Sequence, residues 1–211
     1  MMTKIGTTQR LLDAAETELI QNGGHLEMSP VAKRAKASVG LAYHHFGSKT
    51  GLIAAVVDRF YEPLREIALG DAIPVDLDWP EREFARMKAI TDYFYDHPLA
   101  PLIAGRLARE PEVLDIEKAH MTQLLELGAR NIAQGQKQGV VSTDLDPEMT
   151  VALLMGGHRL ALDQAVLSAP RPDRNTLVAQ VWRFTIYALR LDREHDVITE
   201  NIVRISKPKA Q

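Results

Sequence analysis

The sequence predicts an all-α protein, and three observations carry that expectation. Apolar residues recur at helical spacing along nearly the whole chain, no useful length alternates apolar and polar as a half-buried strand does, and proline and glycine divide the chain into helix-length segments. The chain has 211 residues, 45% of them apolar and 25% charged, which suits a sizeable core and argues against disorder. The longest aliphatic run, Leu52 to Val57, is far short of the ~20 residues that cross a bilayer, and no apolar signal-like segment opens the chain. A cytoplasmic protein with no membrane association is expected. The absence of cysteine excludes disulfides, thiolate nucleophiles and Cys-ligated zinc.

The first helix is expected from about Thr8 to Asn22, with Leu11, Ala14, Ala15 and Leu19 on one stripe and Gly23-Gly24 as the stop. Ser29-Pro30 reads as cap and first turn of a short helix, Val31 to Ala35, and a second short helix runs from Ser38 to near Phe46. Gly47 breaks the chain, and Ser48 caps a helix from Lys49 to Leu69 closed by Gly70; Pro63 is expected to kink it or split off its last turns. Residues 70–80, rich in Gly, Pro and Asp, read as a linker. Longer helices are expected near 81–96, 98–109, 112–138, 147–168 and 174–191. Their limits are set by His97-Pro98, Glu110-Pro111, Asp146-Pro147 and the loop Ala169-Pro170-Arg171-Pro172, because residues before proline avoid the helical region. The polar tail from Asp192 is expected to fray.

The net charge of −3 conceals opposite signs. Residues 1–52 hold six Lys/Arg against four Asp/Glu, and residues 53–211 hold nineteen against twenty-four. No acidic residue lies between Glu27 and Asp58, an interval that contains Lys33, Arg34, Lys36 and Lys49. A local positive face on an acidic protein suits a polyanionic partner.

Two short helices joined by a tight turn, with an amphipathic helix on either side, form the layout of a helix-turn-helix module. In the second short helix Ala42 and Phe46 share a face that can be buried against Leu11, Ala15 and Leu52, which leaves Gly40, Leu41, Tyr43 and His44 pointing outward. An outward Leu and Tyr suit a helix laid in the major groove, where apolar groups meet thymine methyls and a phenol reaches phosphates or base edges. Lys49 opposes the helix dipole at its own N-terminus, a placement that makes sense if a phosphate is held there by backbone N–H groups and the ammonium together.

The set Val31-Ala32, Ala35, Ser38, Gly40, Tyr43, His45-Phe46, Ser48-Lys49 and Leu52, preceded by the Leu11/Ala14-Ala15 helix and a glycine, resembles the DNA-binding domain of the TetR family of transcriptional regulators. The resemblance covers roughly residues 8 to 60. It implies a DNA-reading domain, 1–50, and a larger helical domain for effector binding and dimerisation, 51–211. It also implies that Ser38 caps the recognition helix, that Val39, Gly40, Leu41, Tyr43 and His44 face the groove, and that His45 and Lys49 touch phosphates. The chain departs from the family pattern at three places. Lys36 stands where glycine is usual in the turn, so it must take a left-handed conformation, and it adds a phosphate contact alongside Lys33. Met28 stands where a threonine is usual, so capping moves to Ser29. Ala42 is smaller than the usual aliphatic residue.

The last two long helices each have an apolar arc too wide for one contact surface. One carries Val151, Leu154, Leu162, Ala165 and Val166 on one side and Met149, Leu153 and Leu160 on another, with Gly156-Gly157 between. The other carries Leu177, Val181, Phe184, Ala188 and Leu191 beside Val178, Trp182, Thr185 and Leu189. Mid-helix glycines cost ~1 kcal/mol each against alanine, so they imply a gain such as close helix approach. A homodimer is expected through Leu153, Gly156, Leu160, Val178, Val181, Trp182, Thr185 and Leu189; the other reading makes both helices central in a monomeric core. If the family pattern holds, helices 81–138 enclose a pocket for a small apolar or amphipathic effector, lined by Met87, Ile90, Phe94, Leu102, Met121 and Leu125. Arg106 or His158 would then orient a polar group, with Tyr93, His97 and His120 as further candidates.

The His-carboxylate neighbours, Glu117 with His120, His158 with Asp163, and His195 with Glu194 and Asp196, do not combine into a metal or acid-base site. The chain has no G-x-S-x-G, phosphate loop or dinucleotide fingerprint, so neither catalysis, a cofactor nor a metal is expected. The expected function is a regulator, usually a repressor, released from a palindromic double-stranded operator by its effector. The alternative is a DNA-binding architectural or interaction protein of the same fold that answers to no ligand.

Overall fold

In a computed structural model of the chain, residues 6–69, 73–74, 76–107 and 111–191 are described. Among them nine α-helices follow one another: α1 (Thr7–Gln21), α2 (Met28–Arg34), α3 (Val39–Phe46), α4 (Lys49–Leu69), α5 (Trp79–Asp96), α6 (Ala100–Ala104), α7 (Pro111–Lys137), α8 (Pro147–Leu167) and α9 (Arg174–Leu189). No strand occurs among the described residues. The tail from Asp192, the His195 neighbourhood and Glu110 lie outside them.

Most limits follow from local chemistry. Asp78 starts α5 with a reciprocal capping box, in which its carboxylate accepts from the Glu81 N–H at 2.9 Å and Glu81 accepts from the Asp78 N–H at 3.0 Å. Asp146 and Asp173 cap α8 and α9 in the same sense, each accepting at 2.8 Å from Met149 and Thr176. Two expectations are corrected here. Pro63 does not divide α4, which runs unbroken to Leu69. The helix expected over 98–109 is only α6, because Gly105, at φ −103° and ψ −83°, leaves the helical region.

The chain falls into two compact units. Unit one holds residues up to Pro63 together with 98–120, and unit two holds 64–97 together with the chain from Met121 onward. In unit one, Leu11, Ala15, Leu19, Val31, Leu52 and Phe60 are buried. The Arg59 guanidinium joins α4 to α1 by pairing with Asp13 at 2.6 Å and with Glu16. Unit two is built round Trp182, whose ring meets Phe84 edge-on at 5.3 Å, with Met87, Ile132, Val151, Val178 and Ile186 in the same cluster. Arg174, at the start of α9, pairs with Asp92 at 3.2 Å and with Asp96 on α5.

Candidate nucleic-acid interface

α3 is short, and its position is set by what flanks it. Ser38 accepts the Leu41 N–H on its hydroxyl at 3.1 Å and so caps the helix. Ala42 is completely buried and Phe46 half-buried, which anchors one face. At the other end Gly47 takes φ +72°. Gly51 packs so closely that a Cβ there would lie 2.2 Å from the Phe46 carbonyl oxygen. Any larger residue would push α4 off the end of α3.

The opposite face of α3 is left to solvent: Gly40, His44 and His45 are exposed, and Leu41 and Tyr43 are 37% and 44% exposed. Val39 is half-buried and contributes less to that face than the sequence implied. The His45 Nδ1 lies 3.4 Å from the Thr8 hydroxyl at the start of α1. Lys33, Lys36 and Lys49 are exposed around α3, whereas Arg34 turns away to Gln21 at 2.8 Å and Glu18 at 3.7 Å. Lys36 takes φ +51°, the left-handed conformation that its place in the turn requires. At the start of α4 the Ser48 hydroxyl accepts the Gly51 N–H at 2.8 Å.

Ser29 departs from the expectation. α2 starts at Met28, its N-cap is Glu27 with no side-chain cap bond, and Ser29 lies inside the first turn. Burial of Met28 draws the helix start back, and Pro30 is tolerated there because the N–H it lacks has no intrahelical acceptor.

Residues 11–56 match the family model of the bacterial regulatory proteins of the TetR family. The HTH-type transcriptional regulator UidR of Escherichia coli K12 is 30% identical over 159 residues, spanning 71% of this chain and 76% of UidR. The chain belongs to the TetR family. It is therefore a DNA-binding transcriptional regulator and not an enzyme. Two solved structures share the fold. SmeT, the repressor of the Stenotrophomonas maltophilia multidrug efflux pump SmeDEF, superposes with a TM-score of 0.72 at 19% identity, covering 87% of this chain and 90% of SmeT. FadR of Bacillus subtilis, in complex with stearoyl-CoA, superposes with a TM-score of 0.72 at 17% identity, covering 85% of this chain and 97% of that one.

The other candidate residues of this TetR-family chain fall as follows. On α8, Leu153 and Leu160 are 65% and 62% exposed, Met149 is exposed beside them, and a Cβ on Gly156 or Gly157 would meet no neighbouring atom within 4 Å. On α9 the expected interface stripe is inverted. Val178, Trp182 and Leu189 are buried in unit two's own core, Val181 and Thr185 are half-buried, and Phe184 and Tyr187 are the exposed residues. Both stripes of α9 are apolar, and the one holding the tryptophan is taken by Phe84 within the same unit.

Of the residues expected to line a pocket, Leu102, Arg106 and His120 belong to unit one and the others to unit two. Arg106 is corrected: it is exposed, with its guanidinium against the His25 ring and its Cδ where a Cβ on Gly24 would clash. In unit two Met87 and Phe94 are buried, Ile90, Met121 and Leu125 are half-buried, and the Arg159 guanidinium lies 5.3 Å over the Phe94 ring. Burial lowers the His158 pKa to about 4. A cavity of about 440 Å³ lies where α5 begins and α7 ends, walled by Trp79, Arg82, Glu83, Asn131, Gln134 and Gln138; it includes none of the expected pocket residues. Glu117 and His120 do share a face, but they serve α4: Glu117 accepts the Tyr61 hydroxyl at 2.5 Å, and the His120 Nε2 lies 2.8 Å from Asp58. Among the described residues no group of three metal-ligating side chains forms, and no helix is long and apolar enough to cross a membrane.

Proposed function

We propose that the protein is a homodimeric repressor that binds a palindromic operator through α3 and is released by a small apolar or amphipathic effector. The observation that carries the DNA-reading part is the outward face of α3, with Leu41 and Tyr43 exposed between the cations Lys33, Lys36 and Lys49. Those side chains suit base edges and thymine methyls, and the lysines suit flanking phosphates. Ser38, Val39, Gly40, His44 and His45 complete the surface.

The partner for the bare face of α8 is a second copy of the chain. Gly156 and Gly157 cost helix stability, and among the described residues a Cβ on either would meet no neighbouring atom within 4 Å. Close approach of the same helix from another protomer supplies the missing gain, with Met149, Leu153, Leu160, Phe184 and Tyr187 around it. A twofold dimer offers two recognition helices about 34–36 Å apart, one turn of duplex, and so reads inverted half-sites.

The effector is held in unit two among Ile90, Phe94, Met121 and Leu125, with neutral His158 as its polar anchor. A related fold, the Bacillus subtilis FadR, is seen with stearoyl-CoA, an amphipathic ligand. α4 carries the response, since its residues to Pro63 belong to one unit and those from Leu64 to the other. A differential affinity of ~2–3 kcal/mol between the two states is enough to empty the operator. The test is a duplex selected by the protein from random-sequence DNA, challenged with a panel of acyl and aromatic small molecules. Release by one compound class that also raises the melting temperature supports the reading. Binding to all duplexes alike, with no release, contradicts it.

A further inference from the structure

The turn between α2 and α3 is closed by two backbone bonds, Ala37 N–H to the Ala32 carbonyl at 2.9 Å and Lys36 N–H to the Lys33 carbonyl at 3.2 Å. This pair ends a helix on a left-handed residue, normally glycine. Here the residue is Lys36, whose Cβ disfavours that conformation, so the turn needs support from outside. The two bonds also leave over the carbonyl of Ala35, a residue that is 2% exposed. Arg10, on α1, donates its Nε–H to that carbonyl at 3.0 Å and an Nη2–H to the Thr7 hydroxyl at 3.1 Å. The guanidinium thus stands at the C-terminal end of α2, where the last carbonyls favour a cation.

We propose that Arg10 is a positioning residue for DNA recognition: it pins the strained α2–α3 turn to α1, and so fixes the angle at which α3 is presented, without serving as a phosphate contact. This rests on reading α3 as the recognition helix. Without the guanidinium the buried Ala35 carbonyl loses its donor and Lys36 is free to relax to negative φ. Ser38, the cap of α3, is only two residues further on, so such a relaxation re-aims the whole helix.

The experiment uses the full chain and a duplex that the wild-type protein selects from random-sequence DNA, with affinity measured across a salt series. Arg10→Met is expected to weaken binding about tenfold with an unchanged salt slope. Arg10→Lys, which keeps the charge but not the planar fork, shows a smaller loss in the same direction. In the Lys36→Gly background, where the lost phosphate contact of Lys36 sets the reference affinity, Arg10→Met and Arg10→Lys are expected to cost little more, because glycine holds the left-handed turn unaided. Should Arg10→Met not fold, Arg10→Lys with and without Lys36→Gly decides the matter. Unaltered affinity in Arg10→Lys and Arg10→Met, an Arg10→Met loss as large in the Lys36→Gly background as in wild type, or a slope in Arg10→Met lower by about one phosphate overturns the proposal. Tyr43→Ala is the control: if it binds like wild type the reading of α3 fails, whereas a weakened Tyr43→Ala beside a wild-type-like Arg10→Met defeats only the role of Arg10.

Discussion

The His158 Nε2 lies 3.1 Å from the hydroxyl of Thr91, and that hydroxyl donates its own proton to the Met87 carbonyl at 3.0 Å. Nε2 is therefore the nitrogen that carries a proton, donating it to Thr91. Burial holds its pKa at about 4, below the ordinary histidine value of 6.5. The unfolded chain takes up a proton as the pH falls below 6.5 and the folded chain does not, so this group's contribution is intact above pH 6.5 and lost between there and about pH 4. Its full size is roughly 3 kcal/mol. Thermal melts from pH 7.5 to 5 are expected to fall less steeply in His158→Gln than in wild type.

Exposure separates the two faces of the paired helices. Leu153→Asp is expected to give a monomer by sedimentation at micromolar concentration, with a folded circular-dichroism spectrum. Trp182→Ala acts on the protomer itself and is expected to lower its stability by about 3–5 kcal/mol through the cavity it leaves, as read by denaturant unfolding.

The strained turn yields a stability prediction of its own. Lys36→Gly removes the Cβ clash at φ +51° and is expected to raise the unfolding free energy by roughly 1 kcal/mol. It also removes a cation from the DNA-facing side, so its salt slope is expected to fall by about one per protomer.

Legibility in the sequence followed the strength of the local signal. The ends of α4 are legible because Ser48 and Gly70 mark it from both sides, although the helix runs on through Pro63, and α3 is legible to within a residue because Ser38 and Gly47 flank it. α2 was misread because a Ser-Pro pair looks like a cap wherever it falls, while the burial of Met28, a tertiary fact, sets the true start. The outward face of α3 is legible because Ala42 and Phe46, four residues apart, mark the face that turns inward, although Leu41 and Tyr43 on the outer face are apolar too. α9 is not legible, since Val178 and Trp182 on one stripe and Leu177 and Phe184 on the next are alike in hydrophobicity; only packing against Phe84 tells which turns inward. Arg106 carried no signal that would have assigned it to His25, 81 residues away in sequence. Arg10 escaped notice for the same reason, as its acceptor is a main-chain carbonyl.

The central claim is that α3 reads DNA and Lys49 grips its backbone, and one salt-dependent titration tests both parts. Wild type, Tyr43→Ala and Lys49→Ala are each titrated onto the selected duplex and onto a random-sequence duplex. Tyr43→Ala is predicted to lose at least about tenfold on the selected duplex while keeping its affinity for the random one, and Lys49→Ala to weaken on both with the salt slope lowered by about one per protomer. Both variants binding the selected duplex with wild-type affinity and slope would contradict the account.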